Sequence, residues 1–446
     1  MIIVDDLRPE TGAYGSVIKT PNMDRLAEEG TLFERAYCNS PVCGASRASL
    51  MTGIRPGRHR FLEYNTKVEE DTPEAVVIPD IYKAAGYDTF AYGKIFHHKS
   101  DQKDVWEELK MPSGKSSWRD YLVPDNITLD SQKGGRGPAF EAYDGPEAYQ
   151  DEKIALLAAN KLKQLVDSPK PFFMAVGFVK PHLPFNAPKL FWDLYNPEDI
   201  RIPKTYFRQS DIPRAAYHNS GELRSYHGVP QETVLPEAYA RQLIHGYYAA
   251  TSFVDAQIGY VLDTLDASGL RNNTIVMLLG DHGYNLGEHT LWCKHANFDH
   301  TIRTPLIISV PGFPEGQRTS ALVEYVDLFP TLMDLTDLKG PTEQLDGISL
   351  VPVLKDPHAT TKPAIVSKYK NGISLRTDRH LYTTFQRKAT GETYATMLYD
   401  LHDDPLETRN LANDPAHVDM VASLDKQLRD SWGDNFEAKP LQVDKK

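Results

Sequence analysis

Cysteine is scarce. The chain of 446 residues has three, Cys38, Cys43 and Cys293. That is too few and too odd for a disulfide framework, and the spacing matches no zinc knuckle. A Cys38–Cys293 bridge stays open, and cysteine usage does not set the compartment. Long apolar runs are missing too. No stretch approaches the roughly eighteen residues of a membrane helix, so no membrane span is expected. Positive charge is in deficit: 49 Lys and Arg against 61 Asp and Glu give a net charge of −12. This argues against a nucleic-acid binder, which presents a basic face. An anionic substrate on such an acidic body requires Lys and Arg gathered in one cleft. No leader precedes the first strand: Met1-Ile2-Ile3-Val4 runs straight into Asp5-Asp6. The reading is of a periplasmic or secreted protein whose leader lies outside this numbering. Internal repeats and low-complexity segments are also lacking.

What remains is an ordinary globular composition, 41% hydrophobic and 25% charged. Strand-length apolar runs (Ile2–Val4, Thr89–Tyr92, Pro171–Val179, Ile275–Leu279, Leu306–Val310) alternate with helical stretches. Thr20-Pro21 opens a helix that stops at Gly30; Ile154, Ala158, Leu162 and Leu165 share a helical face; Pro236–Leu265 reads as a long helix. The expectation is an α/β fold, a large mostly parallel sheet sandwiched by helices. From about residue 363 the pattern changes to short alternating strands, then a helix near Val418–Trp432. We therefore place a catalytic domain at 1–355 and a smaller C-terminal α+β subdomain with a short antiparallel sheet at 356–446. Polar, Pro-rich stretches at 112–137 and 201–231 read as long loops walling a binding site.

In such folds chemistry sits at the carboxyl ends of strands. Four strands end in ionisable groups: Asp5-Asp6, Gly93-Lys94, Lys180-Pro181-His182 and Gly280-Asp281-His282. Asp5, Asp6, Asp281 and His282 offer three carboxylates and an imidazole, an oxygen-rich set that suits Ca²⁺; Mg²⁺ also fits. Each acidic pair alone reads equally well as a solvated turn. Cys43 precedes an apolar helical stretch, Ser46–Thr52, and a helix start favours an anion. Taken alone it reads as a buried capping Cys or as a thiolate nucleophile. Lys94 and His97 fall one turn apart if their segment is helical. His182 lies between prolines, and Lys294 follows Trp292-Cys293. Singly, each is more ordinary as a surface residue. Together, Arg47, Lys94, Lys294, His97 and His182 supply the cations, base and acid that ester hydrolysis needs.

The stretch Cys43-Gly44-Ala45-Ser46-Arg47, closing at Thr52-Gly53, resembles the maturation motif of type I sulfatases of the alkaline phosphatase superfamily. Val4–Pro9, Gly93–His97, Gly177–Phe185, Gly280–His289, Asn297–Asp299 and Leu398–Ala412 extend the resemblance over nearly the whole chain, in its iduronate-2-sulfatase-like branch. The resemblance implies an alkaline phosphatase-like fold and conversion of Cys43 to formylglycine by a formylglycine-generating or sulfatase-maturating enzyme. It implies Ca²⁺ held by Asp5, Asp6, Asp281, His282 and the modified Cys43. It gives Arg47 and Lys94 to formylglycine and sulfate, His97 to the aldehyde hydrate, and His182 and Lys294 to the leaving oxygen. The family reaction is attack of the hydrate on sulfur, loss of the alcohol, then expulsion of sulfate. The commoner motif has Pro where this chain has Ala45, which bears on which enzyme matures it. His295, after Lys294, departs from uronate-specific relatives. His98, Tyr284, Trp292 and His295 are candidate sugar contacts. The implied substrate is a sulfated oligo- or polysaccharide, an algal polymer such as ulvan or a glycosaminoglycan. The alternatives are a phosphonate or phosphate monoester hydrolase of the same superfamily and a noncatalytic glycan-binding relative.

Overall fold

Period-two alternation builds the central sheet. Ile2 and Val4 face one apolar layer and Ile3 the other; Val276 and Leu278 join the first, Met277 and Leu279 the second. Strands buried on both faces need helices on both, and the chain provides them. Pro21–Glu28, Gln150–Gln164 and Glu237–Ala267 cover one face, and Cys43–Thr52, Ile78–Ala84 and Leu328–Thr336 the other. The structure, a computed structural model, describes residues 1–112 and 118–433.

The eight strands run in the order Gln317–Thr319, Thr31–Phe33, Leu306–Ser309, Val276–Gly280, Ile2–Val4, Phe172–Phe178, Asp88–Gly93 and Glu108–Lys110. Only Leu306–Ser309 runs against its neighbours; the other pairs are parallel. The mostly parallel sheet expected from the sequence is thus present. Register decides what meets at its edge. Val4 lies level with Phe178 and Gly280, and Gly93 with Gly177. Asp5, Asp281 and Lys94, each one residue further, therefore leave the sheet side by side.

Residues Ala364–Tyr369, Gly372–Thr377, His380–Gln386 and Thr393–Asp400 form a four-stranded antiparallel meander. Leu424, Leu428 and Trp432 of the helix Val418–Trp432 pack on its Val366, Leu375, Tyr382 and Leu398. Glu407 joins this part to the rest: its buried carboxyl accepts the Asp299 backbone N–H at 3.1 Å and faces His300 Nδ1 at 3.6 Å. Two expectations need correction. The loop expected at 112–137 contains the helix Pro124–Ser131, and that at 201–231 contains the turn of helix Gly221–Arg224. Cys38 and Cys293 are free, each buried in its own surroundings, so no bridge joins them. No helix among the described residues is long and apolar enough to cross a membrane.

A buried charge cluster ties the loop after the helix Cys43–Thr52 to the C-terminal part. Glu324, with no exposure, accepts from Arg55 Nε at 3.1 Å and from Lys362 Nζ at 2.8 Å, and Lys362 also reaches Asp327 Oδ1 at 2.5 Å. Burial disfavours the Glu324 carboxylate, but Arg55 and Lys362 outweigh it and hold the group down at about 2, against an ordinary 4.5. Removing one member strands the others. Glu324→Ala is expected to lower the unfolding free energy by about 3–5 kcal/mol in denaturant titrations. A depressed carboxyl stabilises the fold above its unfolded value and loses that contribution as pH falls through its folded value. The wild type should therefore lose more stability between pH 4.5 and about 2 than Glu324→Gln does.

Candidate active site

At the carboxyl edge of the sheet Asp5, Asp6, Asp281 and His282 are all fully buried. Asp6 has φ of +62°, a left-handed turn, and its backbone N–H donates to Asp281 Oδ1 at 3.0 Å. Tyr247, from the long helix, donates its hydroxyl to the Asp6 carbonyl at 2.8 Å. Buried carboxylates in contact need cations, and three elements bring them. Arg47 donates from Nε to Asp281 Oδ2 at 2.9 Å and lies 3.4 Å from Asp5 Oδ1. Lys94 Nζ donates to Asp5 Oδ2 at 2.5 Å. Lys294 Nζ donates to both Asp6 oxygens, at 3.1 and 3.0 Å. Burial works against the Asp5 anion, yet Lys94, His182 and Arg47 together hold its carboxyl well below the usual range.

Cys43 is the first residue of the helix Cys43–Thr52, and its Sγ lies 3.2 Å from His282 Nε2. The neighbouring Gly44 is required by packing: a Cβ there would meet the Tyr64 carbonyl oxygen at 2.2 Å. Ser46 Oγ donates to the Asp281 carbonyl at 2.5 Å, fixing the helix to the adjacent strand end. Burial, then the Asp5 carboxylate, push the Cys43 thiol well up. His282 Nδ1 lies 2.9 Å from the Gly283 carbonyl, which can only accept, so Nδ1 carries the proton and Nε2 turns its lone pair to the site.

Donor atoms of Asp5, Cys43, Asp281 and His282 lie within 4.8 Å of one another. Asp6 stands against this group, 3.4 Å from His282 Nε2, and forms a second set with Cys43 and His182. Carboxylates with one imidazole, all excluded from water, suit a hard divalent cation. The residues present fit one.

Lys94 is not on a helix. Gly93, at φ +79°, and Gly177 lie so close that a Cβ on Gly177 would meet the Lys94 carbonyl oxygen at 1.9 Å; the chain then continues in bends. Arg47 holds this turn by donating to the carbonyls of Lys94 and, at 2.9 Å, Ile95. His97 still reaches the same cavity as Cys43. Burial and then the Lys94 ammonium push its imidazole down to about 2, so it is neutral, and its buried Nδ1 has no partner. His182 is fixed by its own turn. Asp151 accepts from the backbone N–H groups of Val179 and Lys180 at 2.9 and 2.8 Å, and Lys180 Nζ donates to the carbonyls of His182 and Pro184 at 3.2 and 2.6 Å. His182 Nδ1 bonds the Leu183 carbonyl at 2.6 Å, which points Nε2 inward.

All six residues expected to be catalytic line one cavity or touch its floor. The cavity, of about 870 Å³, is walled by Tyr64, His98, Trp118, Arg136, Glu222 and His295 among others. A second large cavity, about 980 Å³, opens at the opposite sheet edge around Met1, Phe172 and Val276 and holds none of the candidates. Two expected sugar contacts fail: Tyr284 stacks on Tyr247 at 5.5 Å and Trp292 packs toward Tyr206, both in the core beneath. His98 and His295 do line the wall. Glu222 was not singled out in the sequence. Its Oε1 lies 2.8 Å from Lys294 Nζ and 3.2 Å from His182 Nε2. The long polar stretch at 201–231 was its only signal.

Residues 1–338 match the family described as Sulfatase, and residues 287–433 the family described as N-sulphoglucosamine sulphohydrolase, C-terminal. The chain is 30% identical to the iduronate 2-sulfatase of Mus musculus, with 95% of this chain and 92% of that protein covered. It is also 30% identical to a sulfatase of Formosa agariphila, over 100% of this chain and 90% of the relative. A protein solved in complex with its substrate D-glucosamine-2-N,6-O-disulfate superposes with a TM-score of 0.78 at 22% identity, covering 99% of this chain and 98% of that one. With the family matched over most of the chain and the charged cleft at the expected sheet edge, this protein belongs to the sulfatases and is a sulfuric ester hydrolase.

Proposed function

We propose that this sulfatase removes sulfate from a sulfated carbohydrate, an algal polymer such as ulvan or a glycosaminoglycan-type oligosaccharide, with formylglycine made from Cys43 and Ca²⁺ as its cofactors. The observation that carries the reading is the meeting of the Asp5, Asp281 and His282 donors with Cys43 at a helix start, on the floor of a cavity large enough for a sugar. The names of the relatives point the same way, one toward iduronate sulfate and one solved with a sulfated glucosamine. Formylglycine and the divalent cation would supply an aldehyde-hydrate nucleophile and charge for the sulfuryl oxygens.

The remaining work falls to the chain's own residues. Asp5, Asp6, Asp281 and His282 hold the cation. Arg47, fixed by Asp281 and by the Lys94 carbonyl, and Lys94, fixed by Asp5, leave a cationic wall against which a sulfate is oriented. Neutral His97 accepts a proton beside Cys43. His182 and Lys294 face the other side of the cavity, where the alcohol oxygen departs, and His182 gives that oxygen a proton. Glu222 lies 3.2 Å from His182 Nε2 and offsets part of the charge of Lys294.

The reading is tested by free sulfate release from ulvan, carrageenan, fucoidan, heparan and dermatan fragments, using enzyme coexpressed with a formylglycine-generating enzyme. Release is expected from at least one glycan, lost in Cys43→Ala and with chelator, and restored by Ca²⁺ rather than Zn²⁺. Silence on every sulfate, with formylglycine confirmed by peptide mass and phosphonate esters turned over, would overturn it. His182→Ala should slow sugar sulfates about 100-fold and activated aryl sulfates less than about tenfold, because only the former need a protonated leaving group; equal losses would reassign the residue. Trp118→Ala should raise KM for the glycan about tenfold, whereas Tyr284→Phe, under the cavity floor, should leave it within about twofold in steady-state assays.

A further inference from the structure

A smaller cavity, about 270 Å³, lies beside the active-site cavity. Its wall comes from the loop after the nucleophile helix and from the edges of the C-terminal meander. It carries five cations, Arg58, Lys368, Lys370, Arg387 and Lys388, against a single carboxylate, Glu63. On a chain with net charge −12 this is a reversal of sign confined to one cleft.

These cations are poorly neutralised. Among the described residues, the one ion pair that reaches them is Arg387 with Glu392 at 3.4 Å, exposed at both ends. Lys368, only 9% exposed, donates to the Lys370 carbonyl at 2.9 Å. Burial lowers its ammonium to about 8; Glu63 opposes that shift, while Lys388 and Arg58 add to it. Two more donors point the same way. Gln386 Nε2 and Trp432 Nε1 are buried in this wall without a partner. A cleft in which five cations and two unpartnered N–H donors outnumber one carboxylate and the amide oxygens of Asn371 and Gln386 complements a group that has only acceptors, a sulfate or carboxylate.

Position gives the cleft its meaning. Glu63 lines it, while the next residue, Tyr64, lines the active-site cavity and packs its carbonyl against Gly44 beside Cys43. On the other side His295, in the active-site wall, sits 5.6 Å from the ring of Tyr369, between Lys368 and Lys370. The two cavities thus adjoin at Glu63-Tyr64 and at the contact of His295 with Tyr369. We propose that the basic cleft is a second anion-binding site, holding a sulfate or carboxylate of another sugar in the chain whose sulfate ester occupies the active site. This rests on the sulfated-carbohydrate reading. Two sites on one ligand make binding length-dependent.

The test is calorimetric binding of sulfated di- and hexasaccharides from heparin and ι-carrageenan to the full matured chain, with neutral dextran oligosaccharide as control. For at least one series the hexasaccharide should bind about tenfold or more tighter than the disaccharide, an advantage reduced by salt. Lys370→Glu with Lys388→Glu should abolish that advantage while aryl sulfate kcat/KM stays within about twofold. A control reversal outside the cleft lining, Lys426→Glu, should leave it intact. The proposal is overturned if neither hexasaccharide gains over its disaccharide, if the double variant keeps the gain, or if Lys426→Glu loses it equally. Sulfate release tests the underlying reading separately: hexasaccharide binding without release from any glycan would sink that reading and leave the anion site standing.

Discussion

Three carboxylates excluded from water at one sheet edge set the terms for the rest of the molecule. Asp5, Asp6 and Asp281 repel one another, and burial removes the solvent that would screen them. They persist because cations arrive from separate elements: Arg47 on the helix Cys43–Thr52, Lys94 beyond a strand end, and Lys294 from the loop after Asp281. In the proposed mechanism the residues that neutralise the carboxylates are also those that face a sulfate, so folding the edge and assembling the cleft are one event. The divalent cation of the proposed mechanism completes the same charge balance.

The proposed leaving-group side follows from this. Lys294 and His182 both approach Asp6, and Glu222 reaches over them from a turn of helix in the 201–231 stretch. A carboxylate there tempers a strongly cationic cleft without touching the cation ligands. The acidic body matters in the same way. On a chain of net charge −12, the five cations lining the smaller cleft favour the proposed anionic chain lying across both cavities.

Much of the site was legible from local pattern. Asp5, Lys94, His182 and Asp281 stand just past apolar runs, and in a parallel sheet such positions share an edge. Cys43 opens a helix whose first turn is spelled by its own small residues. The helical spacing of Lys94 and His97 misled, because Gly93 and Gly177 let two strands approach too closely for a helix to start there. Tyr284 and Trp292 misled for another reason: proximity in sequence to Asp281 and Lys294 says nothing about side-chain direction, and both point into the core. Glu222 had no motif, since its role comes from a loop folding back over distant strand ends.

The sequence by itself determined the layered α/β architecture, the strand ends that bear ionisable groups and the helix that carries Cys43, because period-two and helical burial and short capping signals are local properties of the chain. Tertiary structure alone decided that Glu222 stands over His182 and Lys294, that Trp118 and Arg136 wall the cavity, and that five cations meet beside it. Those are distances between residues far apart in the chain. They are fixed by strand register and by the return of loops across the sheet edge, which no local pattern encodes.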